Sequence, residues 1–351
     1  MRIVFAPFYA ENPYQANLQK QLEILGCIVF RARPGLKGFF NNQQVRESEI
    51  IHFHWTHPYV LRGALMIVLV KMAYFLNNLR KLKKKKKKVI WTVHNISSHN
   101  RKYYMFEILF LKKFIKLIDG FSVHNQYTKE QLIKRFKIDA SKIFTIPHAN
   151  YIDAYTGFPD APDMNADILK LASTNKRTFM LFGHIRAYKG ALDVIASFKK
   201  LNKNKNQLII CGKVGDDQSV SLLKEAIGEY SNILLYPKFV KDEEIKHFFN
   251  IADIMLYPYK DITTSGSLIL GMSFAKACLC ADVGDMKSLV GTYSTFKSQE
   301  EFESKITEFS QLSTHELVKI GRRNYDKVKP YTWELMAVKT MEMYNQVTSL
   351  K

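Results

Sequence analysis

Two short polar stretches hold residue types that could handle a phosphorylated ligand. Gly183-His-Ile-Arg-Ala-Tyr-Lys-Gly190 sets Arg186 and Lys189 between two glycines, directly after the apolar run Arg177 to Phe182. Cations in a strand-to-helix turn of this kind can meet the charge that grows on a departing diphosphate. Asp261-Ile-Thr-Thr-Ser-Gly-Ser267 follows another apolar run, Ile251 to Tyr257, and precedes the uncharged stretch Leu268 to Ala275. It supplies Thr264 or Ser265 as a helix N-cap and Gly266 as a point where backbone can approach a ligand closely. The unpaired N–H groups and partial positive charge of such a helix start suit an anion, and a diphosphate is the natural guest.

Histidines form a second chemical group. His52, His54 and His57 stand as H-x-H-x-x-H, and period-two alternation along the extended run Ile50 to Trp55 puts His52 and His54 on one face. That spacing brings zinc to mind, but no further Cys, Asp or Glu lies nearby to complete a site. Polar residues at the carboxyl end of a strand, facing a ligand crevice, are the better reading. His94-Asn95 follows the strand-like run Lys88 to Val93 in the same way.

The elements that must position these residues alternate strand and helix. Arg2 to Phe8, Ile28 to Arg31, Ile50 to Trp55, Lys88 to Val93, Gly120 to His124 and Lys142 to Pro147 read as strands. Helical patterns lie between them, one through Leu18, Leu22 and Leu25 to Gly26, one from Tyr103 to Ile118, one from about Lys129 to Phe136. The plan then repeats, with strands at Arg177 to Phe182, Gln207 to Cys211, Ile233 to Tyr236 and Ile251 to Tyr257. Two successive parallel α/β units imply two Rossmann-like domains and a cleft between them. The expected boundaries are an N-terminal domain over 1–152, a Pro- and Gly-bearing linker over 153–177, a second domain over 178–325, and a C-terminal amphipathic helix over 326–351 that returns to the first domain.

A chain of 351 residues, 47% hydrophobic, is long enough for two such cores. Its four cysteines show no paired framework, and Cys278 and Cys280 sit two apart in an apolar segment, which suits a reducing cytosol. The N-terminus enters a strand-like run without the charged and apolar regions of a secretion signal. The net charge of +20 is concentrated in residues 1–160, which carry +16, against +4 in 161–351. Much of it lies in Arg80 to Lys88, eight basic residues in nine, directly after the nearly uncharged run Ala64 to Leu76. Thirteen helical residues reach about 20 Å, short of the roughly 30 Å core of a bilayer, so the run does not span one. Docking on an anionic leaflet suits it, with a buried helix followed by a solvated loop as the plain alternative. No nucleic-acid-binding motif or interleaved aromatics accompany the run, which argues against DNA or RNA.

Along most of its length the chain resembles a glycosyltransferase of the GT-B fold, and more narrowly the β-mannosyltransferases of xanthan-type exopolysaccharide assembly and their relatives. The residues that carry the likeness are Asn12-Pro13-Tyr14, His52-Phe53-His54-Trp55, His94-Asn95 with His99, His148 with Tyr151, Phe182-Gly183 with Arg186 and Tyr188-Lys189-Gly190, Pro258-Tyr259-Lys260, and Ser265-Gly266. The resemblance implies a nucleoside-diphosphate sugar, GDP-mannose before others, held by the second domain through Gly183, Arg186, Lys189, Lys260, Ser265, Gly266 and Ser267. It implies a polyprenyl-diphosphate-linked acceptor at the first domain, near Asn12, Tyr14, His54, Asn95 and His148. A peripheral enzyme on the cytoplasmic face of the membrane follows, with no cofactor and no metal, since no Asp-x-Asp triplet occurs.

One departure bears on stereochemistry. The large retaining group of this fold has two glutamates eight positions apart around the helix start, and the matching positions here are Thr263 and Gly271. The ribose-binding role of the second must pass to another residue, Asp261 or Lys260, and inversion becomes the expected course. Direct displacement needs a base in the first domain, for which Glu11 is the candidate, with His94 and His57 as rivals. For each of them a structural or hydrogen-bonding role is an equal alternative. Two other functions fit parts of the pattern: a nucleotide-sugar epimerase of the same fold, which needs no lipid, and a non-enzymatic protein that binds anionic lipid or nucleic acid through Arg80–Lys88.

Overall fold

The computed structural model describes residues 1–10, 12–97, 101–155 and 174–349. Its first strand, β1 (Arg2–Ala6), stops at Pro7, which has no N–H to give to a neighbour, so it is shorter than the apolar run suggests. β2 (Ile28–Arg31), β3 (Ile50–Phe53), β4 (Lys88–Thr92), β5 (Gly120–Val123) and β6 (Ile143–Thr145) complete a parallel sheet in the order β2-β1-β3-β4-β5-β6. The central strands are buried residue after residue, as a sheet covered on both faces requires. Chain order reverses between β1 and β3, so ligand chemistry is expected at the carboxyl ends of those two strands.

The second sheet repeats the arrangement. β7 (Arg177–Phe182), β8 (Asn206–Cys211), β9 (Ile233–Tyr236), β10 (Ile254–Tyr257), β11 (Ala277–Ala281) and β12 (Thr295–Phe296) pair in parallel in the order β12-β11-β10-β7-β8-β9. Its switch point lies between β7 and β10, the strands that feed the two cationic and glycine-bearing turns.

Two compact units divide the chain, Met1–Ala149 with Tyr331–Lys351, and Asn150–Pro330. The edges differ from the expected 152 and 326 for local reasons. The Tyr151 amide donates to Ser273 Oγ at 2.9 Å and the Asn150 side chain donates to the carbonyls of Val328 and Lys329, which ties these residues to the second unit. The helix Thr314–Val328 also belongs there, and the returning helix begins only at Trp333. Residues 156–173, most of the expected linker, lie outside the described residues.

That last helix, Trp333–Ser349, packs on the helix Pro13–Ile24 within the first unit and buries Met336, Ala337, Met343, Tyr344 and Val347. Full burial of such a side chain stabilises by about 1.5–3 kcal/mol, so losing one is enough to loosen the contact. Tyr344 adds a specific link, its hydroxyl lying 2.6 Å from His52 Nδ1.

Only residues 85–87 of the polybasic run form a connecting turn, between a helix and β4. A helix extends over Leu65–Lys84 and takes Arg80, Lys81, Lys83 and Lys84 into its last turns, where cations complement the carbonyl end. Its buried face is Val68, Met72, Phe75, Leu76, Leu79 and Leu82. Two lysines of the run are structural: Lys83 pairs with Asp119, whose carboxylate also accepts from the Val89 amide, and Lys87 donates to the Arg46 and Ser48 carbonyls.

Candidate functional site

β7 ends at Phe182, and Gly183 follows with φ +99, a conformation that disfavours side chains. A Cβ on Gly183 would sit 3.1 Å from Ser267 Oγ and 3.2 Å from Lys189 Nζ. The two stretches singled out in the sequence therefore meet at one point. Gly190 closes the turn at φ +71, and a Cβ there would lie 2.6 Å from the Pro258 carbonyl oxygen, so the close approach of the turn to the residues after β10 needs glycine. The Lys260 amide donates to the Tyr188 carbonyl at 2.8 Å across the same junction.

Ser265 is the N-cap of the helix Gly266–Ser273, its Oγ accepting from the Leu268 amide at 3.1 Å. The first amides of the helix, those of Gly266 and Ser267, have no acceptor within the helix itself. Lys189 is only 5% exposed, with its ammonium 5.1 Å from the centre of the Tyr259 ring. No carboxylate pairs with it among the described residues. Burial pushes its pKa down to about 8, and the neighbouring Arg186 guanidinium adds to the fall. Arg186 itself is exposed. Two cations beside a helix start, one of them buried without a counter-charge, make a site that an anion would relieve.

Lys260 has an acidic partner within the same unit. Its ammonium pairs with Asp193 at 2.8 Å, on the helix Ala191–Phe198, so it braces the turn. Gly271, which stands in place of a carboxylate of the retaining pattern, is backed by a neighbour: a Cβ there would lie 2.3 Å from the hydroxyl of Tyr257, which itself donates to the Ser267 carbonyl at 2.8 Å. Tyr257 thus fills the space that a side chain at 271 would need, and nothing in the sequence flagged it.

In the first unit the structure gathers five buried or half-buried histidines. Asn12 caps the helix Pro13–Ile24 by accepting from the Tyr14 amide at 3.0 Å, so its side chain is engaged in holding that helix. The Tyr14 ring then stands amid His54, His94, His124 and His148 at centroid distances of 5.8, 4.7, 5.4 and 5.1 Å. His54 Nδ1 and His94 Nε2 are 3.3 Å apart. His94 lies flat on Trp55, at 4.5 Å and 17°, and Tyr9 meets the same indole edge-on at 5.6 Å. Half-exposed His94, Asn95 and Trp55 are the part of the cluster open to solvent.

Desolvation lowers the pKa of every one of these imidazoles: His52 and His148 to about 3, His124 to about 4, His54 and His94 well below the usual value. The cluster is neutral at pH 7 and can exchange hydrogen bonds, or accept a proton at His94, without holding an anion by charge. Both ring nitrogens of His52 are engaged, by Tyr344 and by Thr92 Oγ1 at 2.7 Å. Among the described residues no group of three or more His, Cys, Asp or Glu is arranged to hold a metal ion. Sequence reasoning passed over His124, although the signal was there. His54, His94, His124 and His148 each follow the end of a successive strand, β3 to β6. Glu11 and His99 lie outside the described residues.

The two parallel sheets, with their switch points and the phosphate-suited turn, define a class: the chain belongs to the glycosyltransferases of the GT-B fold. A family model described as "Glycosyl transferases group 1" matches residues 165–326, and one described as "Glycosyltransferase Family 4" matches residues 28–149. Among curated relatives, a GDP-mannose:glycolipid 4-beta-D-mannosyltransferase of Xanthomonas campestris pv. campestris is 23% identical over 250 residues, 69% of this chain. The matched region spans 64% of that relative's length. Solved structures share the fold over 99% of this chain: a sucrose-phosphate synthase from Thermosynechococcus elongatus with TM-score 0.76 and 13% identity over 99% of its own chain, a glycosyltransferase from Rickettsia africae with 0.70 and 16% over 98%, and Anabaena HepE in complex with UDP with 0.71 and 13% over 100%.

Proposed function

We propose that the protein transfers a hexose, mannose from GDP-mannose, from a nucleoside-diphosphate donor to a lipid-linked saccharide in the making of a surface polysaccharide. The single observation that carries the donor site is Lys189, a buried ammonium with no carboxylate paired to it among the described residues, beside Arg186 and the capped start of the helix Gly266–Ser273. In the reaction the acceptor hydroxyl oxygen bonds to the anomeric carbon as the bond from that carbon to the diphosphate oxygen breaks. The hydroxyl proton passes to a base of the first unit, Glu11 or His94, and the nucleoside diphosphate departs with its negative charge met by Arg186, Lys189 and the helix amides. Two cations can supply the charge that a metal ion would otherwise bring, so metal-independent turnover is part of the proposal.

Mannose and the lipid acceptor rest on the curated relatives, whose name specifies GDP-mannose and a glycolipid. Structural neighbours solved with UDP and UDP-glucose support a nucleotide-sugar donor but belong to more distant sequences. Inversion rests on the non-acidic Thr263 and Gly271 and on the β-linkage in the relatives' name. No described helix is long and apolar enough to cross a membrane, and the basic first unit would meet a lipid-borne acceptor at the cytoplasmic face of the membrane. The test is thermal stabilisation by GDP, UDP and ADP, followed by transfer from the sugar of the best base. A ligand at 100 times its Kd adds about 2.7 kcal/mol, so the ranking is readable. Stabilisation by GDP above the others is expected, and no stabilisation by any of the three would overturn the reading.

A further inference from the structure

The helices Leu65–Lys84 and Tyr104–Ile115 pack side by side in the first unit, and Tyr103 in front of the second donates to the Gly63 carbonyl in front of the first at 3.0 Å. Each presents one exposed stripe, and the two stripes have the same order. On the first helix Met66 is 70% exposed and Val70 65%, and further along the same face stand Arg80, Lys81 and Lys84. On the second Met105 is 69% exposed and Leu109 54%, followed on that face by Lys112, Lys113 and Lys116 just past the helix end. Spacings of three and four residues keep each set in line.

Neither stripe holds an acidic residue. The first helix has none, and Glu107, the one acid of the second, is buried. Both helices follow parallel strands, β3 and β4, so both begin at the carboxyl edge of the sheet, where His54, His94 and Asn95 stand, and run back toward the amino edge. The apolar ends therefore lie together on the side of the histidine cluster. The cationic ends lie together as much as about 27 Å farther along, at 1.5 Å per residue from Met66 to Lys84.

We propose that these two stripes form one surface that docks on an anionic lipid bilayer, with Met66, Val70, Met105 and Leu109 inserted and the arginine and lysines on the headgroups. A nucleic acid would account for the cations but not for four bare apolar side chains, and a bilayer accounts for both. The orientation turns the histidine edge toward the lipid, where a lipid-borne acceptor would arrive. This rests on the membrane-facing reading above but not on which sugar moves. It adds the second helix and removes Lys83 and Lys87, which are committed to Asp119 and to carbonyls, from the docking set.

The test is co-sedimentation of the full chain with vesicles of phosphatidylcholine alone and of equal parts phosphatidylcholine and phosphatidylglycerol. The unaltered protein should bind the mixed vesicles and not the neutral ones. A Met105→Ser, Leu109→Ser variant and a Lys112→Gln, Lys116→Gln variant should each bind at least about tenfold more weakly, with unchanged melting temperature and unchanged stabilisation by nucleotide. Only the binding that remains in the Ser variant should vanish with added salt. Binding of either variant at the level of the unaltered protein, or equal binding of the unaltered protein to both vesicles or to neither, overturns the surface. Vesicle binding that is intact while no nucleotide stabilises the protein overturns the transfer reading and leaves the surface standing.

Discussion

The hydroxyl of Tyr257 stands 2.3 Å from where the Cβ of any residue other than glycine at position 271 would be. The same hydroxyl holds the first turn of the helix Gly266–Ser273 through the Ser267 carbonyl. Absence of a carboxylate at 271 is thus coupled to the presence of this tyrosine, and the helix start is organised by a phenol.

It follows that Gly271→Ala should destabilise the protein by about 1–3 kcal/mol through overpacking. Adding Tyr257→Phe removes the clashing oxygen and leaves the ring carbon at an ordinary 3.4 Å, so the double variant should recover most of the loss. Urea unfolding of the four forms measures the coupling. Additive effects would show that the clash is relieved elsewhere.

Lys189 should trade stability for ligand binding. Its folded pKa of about 8 lies below the ordinary 10.5, so at pH 7 the buried ammonium costs the native state about 3 kcal/mol. Lys189→Met is expected to stabilise the free protein by up to that amount and to abolish nucleoside-diphosphate binding. A variant that is both less stable and still able to bind would contradict the assignment.

The same group sets a pH dependence. With the folded value depressed, the free protein loses the Lys189 proton as pH rises through about 8, while the unfolded chain keeps it to about 10.5. Nucleotide affinity should fall above pH 8, by up to about tenfold per unit. Calorimetric titration from pH 7 to 9.5 reads it, and Lys189→Arg should flatten the curve because the guanidinium keeps its charge.

Acid should weaken the first unit. The folded pKa values of His52, His124 and His148, about 3, 4 and 3, lie below the ordinary 6.5. Between pH 6.5 and about 4 the unfolded chain binds protons that the folded one does not, so stability is full above 6.5 and falls as pH drops. Each such histidine contributes about 1.4 kcal/mol per pH unit at most. Urea midpoints measured from pH 7.5 to 5 should fall steeply, and a flat profile would mean that the cluster is hydrated.

Arg186→Ala should lower kcat more than it raises KM, since the charge it meets grows only as the sugar leaves. An α-linked donor should give a β-linked product. The anomeric proton and carbon signals of that product decide it, and an α-linkage would remove the reason to seek a base at Glu11 or His94.

The amino-acid order by itself determined the α/β plan, because apolar runs of four to seven residues between helical patterns leave few other arrangements. It also determined the turn chemistry at Gly183–Gly190 and Ser265–Ser267, where glycine and a short hydroxyl side chain have local consequences that need no distant partner. It could not show that Lys189 is buried with no carboxylate beside it among the described residues, that Lys260 pairs with Asp193, or that Tyr257 fills the space beside Gly271. Nor could it show that the lysine run ends a helix whose apolar face continues onto a second one. Those facts are contacts between residues far apart in the chain. They depend on strand order, which brings β10 beside β7 and β3 beside β4, and only the folded sheet decides which side chains then share the same few ångströms.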